Sequence, residues 1–182
     1  LGCTHHCYND IALMKSIPNM EVYEPWTPKE FRELFTQTWG NGNPKYFRLS
    51  AHTHSQDVTV QSEKVNIIRD SIDGRWVFVT GHLLDDVLED TNCGVIYVST
   101  LHGMSNNSIE MLSELFKNQP KLYSVENHFK IGGLGDLVSD IFSLPVKRIG
   151  LDRKFLTNYG TYNDLRKESN MDRESILRQI YE

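Results

Sequence analysis

The sequence predicts an α/β fold in which a mostly parallel, five-stranded sheet lies between two layers of helices. Short and almost wholly apolar runs, such as residues 76–80 and 94–99, alternate along the chain with amphipathic helical segments. Strands that are apolar on both sides are buried on both faces, which is typical of parallel strands covered by helices. A separate strand and helix pattern precedes these runs. We therefore expect a short α/β region at the N-terminal side, followed by a three-layer α/β/α domain.

The first 50 residues contain one clearly marked helix, over residues 28–39. Thr27 is expected to cap it, Pro28 fits its first turn, where a missing N–H costs nothing, and Glu30 is expected to complete a capping box. Apolar residues recur at helical spacing, which predicts that they share one face. The members of this face are Phe31, Leu34, Phe35, Thr38 and Trp39. The other elements predicted here are a helix over 9–16 and extended segments over 21–23 and 46–49.

A polar stretch, residues 51–62, lacks any sustained apolar period and is predicted to be a linker. It divides the chain into predicted domains at 1–50 and 63–182. The strands predicted in the second domain are 65–69, 76–80, 94–99, 122–126 and 146–149. Five helices are predicted there. One begins after Gly81, three span 108–116, 134–142 and 162–168, and one begins after Asp172. Thr161 is expected to cap the helix over 162–168. The helix over 134–142 is expected to cover one face of the sheet, because its apolar residues recur at helical spacing.

Composition excludes several classes of function. The formal net charge is −5 and the chain has no long run of lysine and arginine, which argues against binding to nucleic acid or to anionic lipid. No stretch approaches the roughly 20 apolar residues of a membrane-spanning helix. Three cysteines in a chain of this size indicate a reducing compartment, for which the cytoplasm is the default. The expected partners are small molecules or proteins.

Three short motifs lie close together near the N-terminus. They are GCTHH at residues 2–6, DIA at 10–12 and IPNM at 17–20. Their order and spacing resemble the G-P-T-H-H, D-I-A and I-P-N-M pattern of transketolases and deoxyxylulose-phosphate synthases. In that family this stretch belongs to the pyrimidine-binding domain. The resemblance therefore implies that residues 1–50 are the end of such a domain.

A second match lies far along the chain. Residues 124–128 read SVENH and residues 132–135 read GGLG, which is similar to the V-E-E-H and G-G-L-G segments of the family's C-terminal domain. The resemblance implies that residues 63–182 are that domain, with Glu126 and His128 near the domain contact. For the glycines, a phosphate-binding loop is the alternative, but the full nucleotide-binding spacings are missing. Close packing between helix and strand is therefore the interpretation we favour.

The resemblance also implies roles for individual residues. His5 matches the histidine that reaches the reactive carbon of the cofactor adduct, where an imidazole can move a proton near neutral pH. His6 matches the second histidine of the synthase branch, and either substrate binding or a packing role suits it. Leu1 stands where the family has an acidic residue, and Ala51 where it has an arginine for the sugar phosphate. Arg48 is the candidate to replace that arginine.

The thiamine diphosphate and Mg²⁺ of the family imply residues that this sequence lacks. The activating glutamate lies upstream of the G-x-T turn in the family, and no G-D-G motif for the metal and diphosphate occurs here. We therefore expect neither the cofactor nor a metal ion to bind this chain alone, and the isolated chain not to be catalytically competent. The predicted partner is an N-terminal region or subunit that carries the diphosphate site, in a homodimer or heterotetramer.

The predicted function is that of the C-terminal part of a transketolase-like transferase, which moves a two-carbon ketol or acyl unit between sugar or keto-acid substrates. Two alternatives stay open. The chain is part of a deoxyxylulose-phosphate synthase or of a 2-oxoacid dehydrogenase beta subunit, or it is a non-catalytic module for assembly or regulation.

Overall fold

The computed structural model describes residues 6–51, 61, 65–89, 92–118 and 120–182. The N-terminal part contains α1 (Asp10–Lys15), β1 (Glu21–Tyr23), α2 (Pro28–Thr38) and β2 (Lys45–Phe47). The C-terminal part contains β3 (Asn66–Arg69), β4 (Arg75–Val79), a 3-10 turn (Gly81–Leu83), α3 (Leu84–Leu88), β5 (Gly94–Tyr97), α4 (Asn106–Leu115), β6 (Lys121–Phe129), α5 (Leu134–Phe142), β7 (Val146–Leu151), α6 (Tyr162–Glu168) and α7 (Arg173–Tyr181).

The five strands of the C-terminal part form one sheet in the order β3-β5-β4-β6-β7. β4 pairs in parallel with both β5 and β6, and β6 pairs in parallel with β7, whereas the edge strand β3 runs antiparallel to β5. Val77 in the central strand lies opposite Val95 on one side and Tyr123 on the other. The predicted mostly parallel five-stranded sheet is confirmed.

Helices cover both faces of this sheet. On one face, α3 and α7 contribute Leu84, Val87, Ile176 and Ile180 to a buried cluster that includes Val77 and Val95. On the other face, α4, the residue after it and α5 contribute to a cluster that includes Phe78 and Ile96; the residues they contribute are Leu112, Phe116, Leu134, Leu137 and Val138. The alternation of side chains along a strand accounts for this division, because neighbouring residues point to opposite faces. The three-layer arrangement is confirmed.

The N-terminal part packs against the large sheet. β1 and β2 form a parallel pair, and the other edge of β1 contacts the segment that follows β5. The Leu101 N–H donates to the Val22 carbonyl and the Glu24 N–H donates to the Ser99 carbonyl, both at 2.8 Å. Ile11 and Val22 are fully buried in the same apolar cluster as Phe78. The predicted linker at 51–62 falls almost wholly outside the described residues, so the domain boundary stays a prediction.

The start of α2 is capped as predicted and has further contacts. Thr27 caps the helix, its hydroxyl accepting from the Glu30 N–H at 3.1 Å. The Glu30 carboxylate also has partners beyond the predicted box, because it accepts from the Trp26 N–H at 2.8 Å and from the Tyr97 hydroxyl at 2.7 Å. The predicted cap by Thr27 is confirmed, and the Glu30 side chain in addition ties the start of α2 to β5.

Burial divides the predicted apolar face of α2. Leu34 and Thr38 are buried, whereas Phe35 is 45% and Trp39 is 72% exposed. With Phe31 and Phe47 they form a chain of ring contacts, with centroids 5.2 to 6.2 Å apart. We call Phe31, Phe35, Trp39 and Phe47 the aromatic ridge. It forms because positions 31, 35 and 39 follow each other at four-residue spacing beside the buried line.

The remaining helix ends follow local side-chain chemistry. α4 begins two residues earlier than predicted because Ser105 caps it, its hydroxyl accepting from the Ser108 N–H at 3.2 Å. The predicted cap of α6 is confirmed in Thr161, which forms a capping box with Asp164. The predicted start of α7 after Asp172 is also confirmed, and the Asp172 side chain caps that helix. Within the described residues, no helix combines the length and apolar character needed to cross a membrane.

Candidate functional site

A cavity of about 350 Å³ lies between the N-terminal and C-terminal parts, and we call it the first cavity. This volume is within the usual range for small-molecule sites. Its N-terminal wall is formed by His6, Cys7, Tyr8 and Arg48. Its C-terminal wall is formed by Asn127, Leu151, Leu156, Gly160, Tyr162, Leu165, Arg166, Ser169 and Met171. The cavity thus brings together two of the three residues that the sequence predicts for the site, His6 and Arg48.

His6 is half-buried and has a defined neighbour. Its Nδ1 lies 3.0 Å from the Tyr8 hydroxyl, and the two rings are 5.4 Å apart. Tyr8 is tied to the sheet, because its carbonyl accepts from the Phe129 N–H at 2.9 Å. Burial raises the pKa of Tyr8, so its hydroxyl keeps its proton near neutral pH. The imidazole of His6 therefore faces a hydroxyl that can donate to it.

His5, the predicted catalytic residue, lies outside the residues that the structure describes. Its predicted role at the cofactor adduct stays a prediction. His6, the next residue along the chain, is the described histidine of this motif, and it lines the first cavity.

Arg48 is held by two carboxylates. Its Nε lies 2.9 Å from Asp10 Oδ2 and its Nη1 lies 2.9 Å from Glu24 Oε1. The Tyr46 hydroxyl also donates to Asp10 Oδ2, at 2.7 Å. Burial acts to lower the pKa of Arg48, but the negative charges of Glu24 and Asp10 outweigh it and raise that pKa. An anionic substrate group at Arg48 has to compete with two carboxylates that are already in place, and substrate binding by Arg48 and His6 stays a prediction.

Glu126 is a residue of β6 whose side chain lies at the start of α5. Its carboxylate accepts from the N–H groups of Leu134 and Gly135, at 2.6 and 3.0 Å. The side chain is fully buried, and burial raises the pKa of Glu126 to about 7 in spite of these two bonds. Two N–H groups at the start of α5, which have no acceptor within the helix, thus donate to the Glu126 carboxylate.

His128 joins the N-terminal and C-terminal parts of the chain, in keeping with the place near the domain contact that the resemblance implies. Its Nε2 accepts from the Ala12 N–H of α1 at 3.3 Å, and its Nδ1 lies 2.7 Å from the Phe129 carbonyl. The two bonds together require the tautomer in which Nδ1 carries the proton. Burial lowers the pKa of His128, so the ring is neutral near pH 7. Its role is to hold α1 against β6.

The glycines of residues 132–135 are explained by close packing. A Cβ on Gly132 would lie 2.4 Å from the Ala12 Cβ, and one on Gly135 would lie 2.5 Å from the Ser124 hydroxyl. A Cβ on Gly133 would lie 1.7 Å from the Glu126 carboxylate. The packing interpretation is therefore confirmed, and the Glu126 carboxylate fills the place that a phosphate would need.

Sequence reasoning missed most of the C-terminal wall of the first cavity. Burial raises the pKa of Tyr162 to about 12, and Arg166 Nη2 pairs with Asp86 Oδ2 at 2.5 Å. Both residues lie on α6, which the sequence predicts correctly as a helix but does not connect to His6. Their approach depends on contacts over more than 150 residues, for which a single sequence carries no local signal.

A metal site does not appear in the described part of the chain. No group of three or more His, Cys, Asp or Glu side chains among those residues could hold a metal ion. The carboxylates bonded to the arginines that line the first cavity are Asp10 and Glu24, which pair with Arg48, and Asp86, which pairs with Arg166.

The relatives found among known proteins match almost the whole length of the chain. No family model matches it. It is 23% identical to a subunit of the apulose-4-phosphate transketolase of Actinobacillus succinogenes, covering 97% of the chain and 61% of the relative. It is 24% identical to the 6-deoxy-6-sulfo-D-fructose transketolase subunit SqwH of a Clostridium species, covering 100% of the chain and 60% of the relative. It is 28% identical to the 1-deoxy-D-xylulose-5-phosphate synthase of Shewanella sediminis, covering 100% of the chain and 31% of the relative.

A solved structure gives the same fold. It is described as a split gene transketolase, inactive beta4 tetramer, and it matches with a TM-score of 0.80 and 21% identity over 99% of this chain and 63% of the other. The chain spans about three fifths of the length of the transketolase subunits and about a third of the length of the synthase. The chain is thus a homologue of transketolase subunits and C-terminal sections and of 1-deoxy-D-xylulose-5-phosphate synthases.

Proposed function

We propose that this chain is the C-terminal part of a transketolase-like transferase that depends on thiamine diphosphate. The transferase moves a two-carbon ketol or acyl unit between sugar or keto-acid substrates. The observation that carries the proposal is similarity over 97–100% of the chain to two transketolase subunits and a synthase. The first cavity supports it, because a half-buried histidine of the predicted motif lines a pocket of suitable size.

We propose that the diphosphate and Mg²⁺ of the cofactor are held outside this chain. This proposal rests on the sequence, which has no G-D-G motif of the kind that marks their site in the family. We therefore assign that site to an N-terminal region or partner subunit. The residues of this chain bind and orient the substrate, with His5 moving a proton at the reacting carbon and His6, beside the Tyr8 hydroxyl, accepting or donating a hydrogen bond to a substrate oxygen.

The proposed assembly is a homodimer or a heterotetramer with the subunit that carries the diphosphate site. Two relatives named as transketolase subunits support a partner chain, as does the tetramer named for the solved structure. We propose a cytoplasmic location, in keeping with the cysteine content, and a small-molecule sugar or keto acid as substrate.

Calorimetry tests whether this chain needs its partner. We expect thiamine diphosphate with Mg²⁺ to show weak or no binding to the 182-residue chain, and tight binding once the N-terminal region or subunit is added. Tight binding by the chain alone would contradict the division of the site between two regions. The partner without this chain is the matched control.

Product analysis tests the reaction. The assembled enzyme should transfer a two-carbon unit from a ketose donor to an aldose acceptor. The second candidate is a deoxyxylulose-phosphate synthase, favoured by the 28% identity to the Shewanella sediminis protein, and it predicts condensation of pyruvate instead. Oxidative use of a 2-oxoacid identifies a dehydrogenase beta subunit. Assembly without turnover of any of these substrates identifies a non-catalytic module.

Substitution of His5 tests the proposed proton transfer. We expect His5→Ala to lower kcat of the assembled enzyme by about 10²-fold or more, as is typical for loss of a general acid or base. His54→Ala, in the predicted linker, is the matched control and should leave kcat unchanged. Equal activity of His5→Ala and the parent removes His5 from the mechanism.

A further inference from the structure

A second cavity of about 360 Å³ lies beside the first one. The two cavities share His6, Tyr8 and Leu156 as lining residues. The other residues that line the second cavity are Asn9, Phe129, Arg153, Lys154 and Phe155. A ligand with one end at His6 can therefore extend into the second cavity.

The second cavity carries two cations and, among its described lining residues, no carboxylate. Arg153 and Lys154 are both exposed, and neither side chain has an ion-pair or hydrogen-bond partner among the residues that the structure describes. The adjacent acid, Asp152, is bonded to Lys130 at 2.8 Å. That bond is the main cause of the lowered pKa of Asp152, to which Lys154 adds a weaker effect. The two cations therefore retain their capacity to bind an anion.

The cations of the first cavity differ in this respect. Arg48 is held by Asp10 and Glu24, and Arg166 by Asp86. Breaking such a buried pair leaves a carboxylate without its partner in a medium of low dielectric, which is strongly unfavourable. An incoming anion thus gains more from Arg153 and Lys154 than from Arg48.

The walls of the second cavity favour a ligand over bulk water. Phe129 contributes an apolar surface, and Phe155, which is 96% exposed, contributes another at the rim. A ligand that covers Phe155 removes apolar surface from water and lowers the local dielectric around both cations, which strengthens their attraction for an anion.

Resting on the proposed function, we propose that Arg153 and Lys154 form the subsite for the anionic group of the substrate, a phosphate or a carboxylate. The ligand lies along the two cavities, with its reacting end towards His6 and its charged end between these two side chains. The subsite replaces the phosphate arginine whose expected place is occupied by Ala51.

Titration with small anions tests the subsite without turnover. The 182-residue chain is titrated with inorganic phosphate and with pyruvate, and binding is followed by calorimetry or by amide NMR shifts. The double variant Arg153→Gln, Lys154→Gln should bind the preferred anion at least about tenfold more weakly, in keeping with the loss of charge-assisted hydrogen bonds. The matched control is Arg32→Gln, Lys121→Gln, which removes the same charge at exposed residues outside both cavities, and its affinity should stay within about twofold of the parent's.

The two anions distinguish the source of the charge. Loss of phosphate binding in the double variant supports a phosphorylated sugar, and loss of pyruvate binding supports a keto acid. If the double variant and the control bind both anions equally, or if the parent shows no saturable binding, the subsite is refuted. Since the titration needs neither thiamine diphosphate nor turnover, an enzyme that proves inactive while anion binding depends on Arg153 and Lys154 contradicts the proposed function alone.

Discussion

Arg48 shows how a single residue serves the fold and the site at once. Its guanidinium links Asp10 on α1 to Glu24 after β1 and also lines the first cavity. The resemblance implies Arg48 as a candidate site residue, because Ala51 stands where the family has its phosphate arginine. The carboxylate partners lie 38 and 24 residues away along the chain, so the pairing has no local signal.

Removing Arg48 should destabilise the protein. Arg48→Met leaves Asp10 and Glu24 buried without their cation, and we expect the free energy of unfolding to fall by about 3–5 kcal/mol, measured by urea denaturation. Lys117→Met removes one member of an exposed pair with Glu114 and is the matched control, with an expected change of at most about 1 kcal/mol. An equal decrease in the free energy of unfolding of the two variants would show that the buried pairs of Arg48 stabilise the protein no more than an exposed pair does.

Glu126 gives a pH dependence of known sign. Burial raises its pKa in the folded protein to about 7, above the ~4.3 of a glutamate in an unfolded chain. The folded state therefore holds the proton more tightly, and this stabilisation is complete below ~4.3 and is lost as the pH rises through about 7. We expect the stability of the parent relative to Glu126→Gln to fall between about pH 4.3 and pH 7.

Urea denaturation of both proteins at a series of pH values measures this difference. His128, whose pKa is lowered, contributes the opposite slope. Its Nδ1 lies 4.0 Å from Glu126 Oε2, so the two groups are coupled and the same pH series is also measured in a His128→Gln background. A stability difference that is constant over this range would contradict the raised pKa of Glu126.

At the scale of elements, the start of α5 depends on the absence of a side chain at Gly133, because the Glu126 carboxylate occupies the space that such a side chain would take. Gly133 leaves room for the Glu126 carboxylate, which in turn satisfies the N–H groups of Leu134 and Gly135. A side chain at position 133 therefore displaces the carboxylate and leaves those N–H groups without an acceptor.

Gly133→Ala is expected to destabilise the protein by at least about 2 kcal/mol, because it combines a steric clash with lost hydrogen bonds. Gly103→Ala is the control, since a Cβ there meets no heavy atom within 4 Å. Thermal or urea denaturation measures both variants. Retention of full stability in Gly133→Ala would mean that α5 starts without the help of Glu126.

The elements that the sequence predicts best are those whose whole surface is buried. β4 and β5 are apolar almost throughout, so their residues alone indicate strands inside a parallel sheet. The apolar side of α2 is less predictable, because Leu34 and Phe35 have similar hydrophobicity and only their neighbours in space decide which is buried. The Glu30 carboxylate is a comparable case, since its bond with the Tyr97 hydroxyl depends on a strand more than 60 residues away.

At the scale of the whole molecule, the two predicted domains share their apolar core. Ile11 and Val22 from the N-terminal part lie in one cluster, and Trp26 lies in the other. The C-terminal sheet therefore depends on residues that precede the predicted linker.

A fragment of residues 63–182 should thus be less stable than the full chain. Burying the side chains of Ile11, Val22 and Trp26 contributes on the order of 5 kcal/mol, which the fragment loses. Urea denaturation of the two proteins measures the difference, and the full chain cut within residues 52–60, with both pieces retained, is the control. Identical unfolding midpoints for fragment and full chain would establish the C-terminal part as an independent folding unit.

The uneven exposure of the three tryptophans provides a natural optical probe. Trp26 and Trp76 are each 5% exposed, whereas Trp39, at the end of the aromatic ridge, is 72% exposed. Iodide in solution, which as an anion does not enter the protein interior, therefore quenches the emission of Trp39 selectively, while the two interior indoles keep their fluorescence. A shift of the quenchable emission to shorter wavelength would report that another surface has come to lie on α2, without any label on the protein.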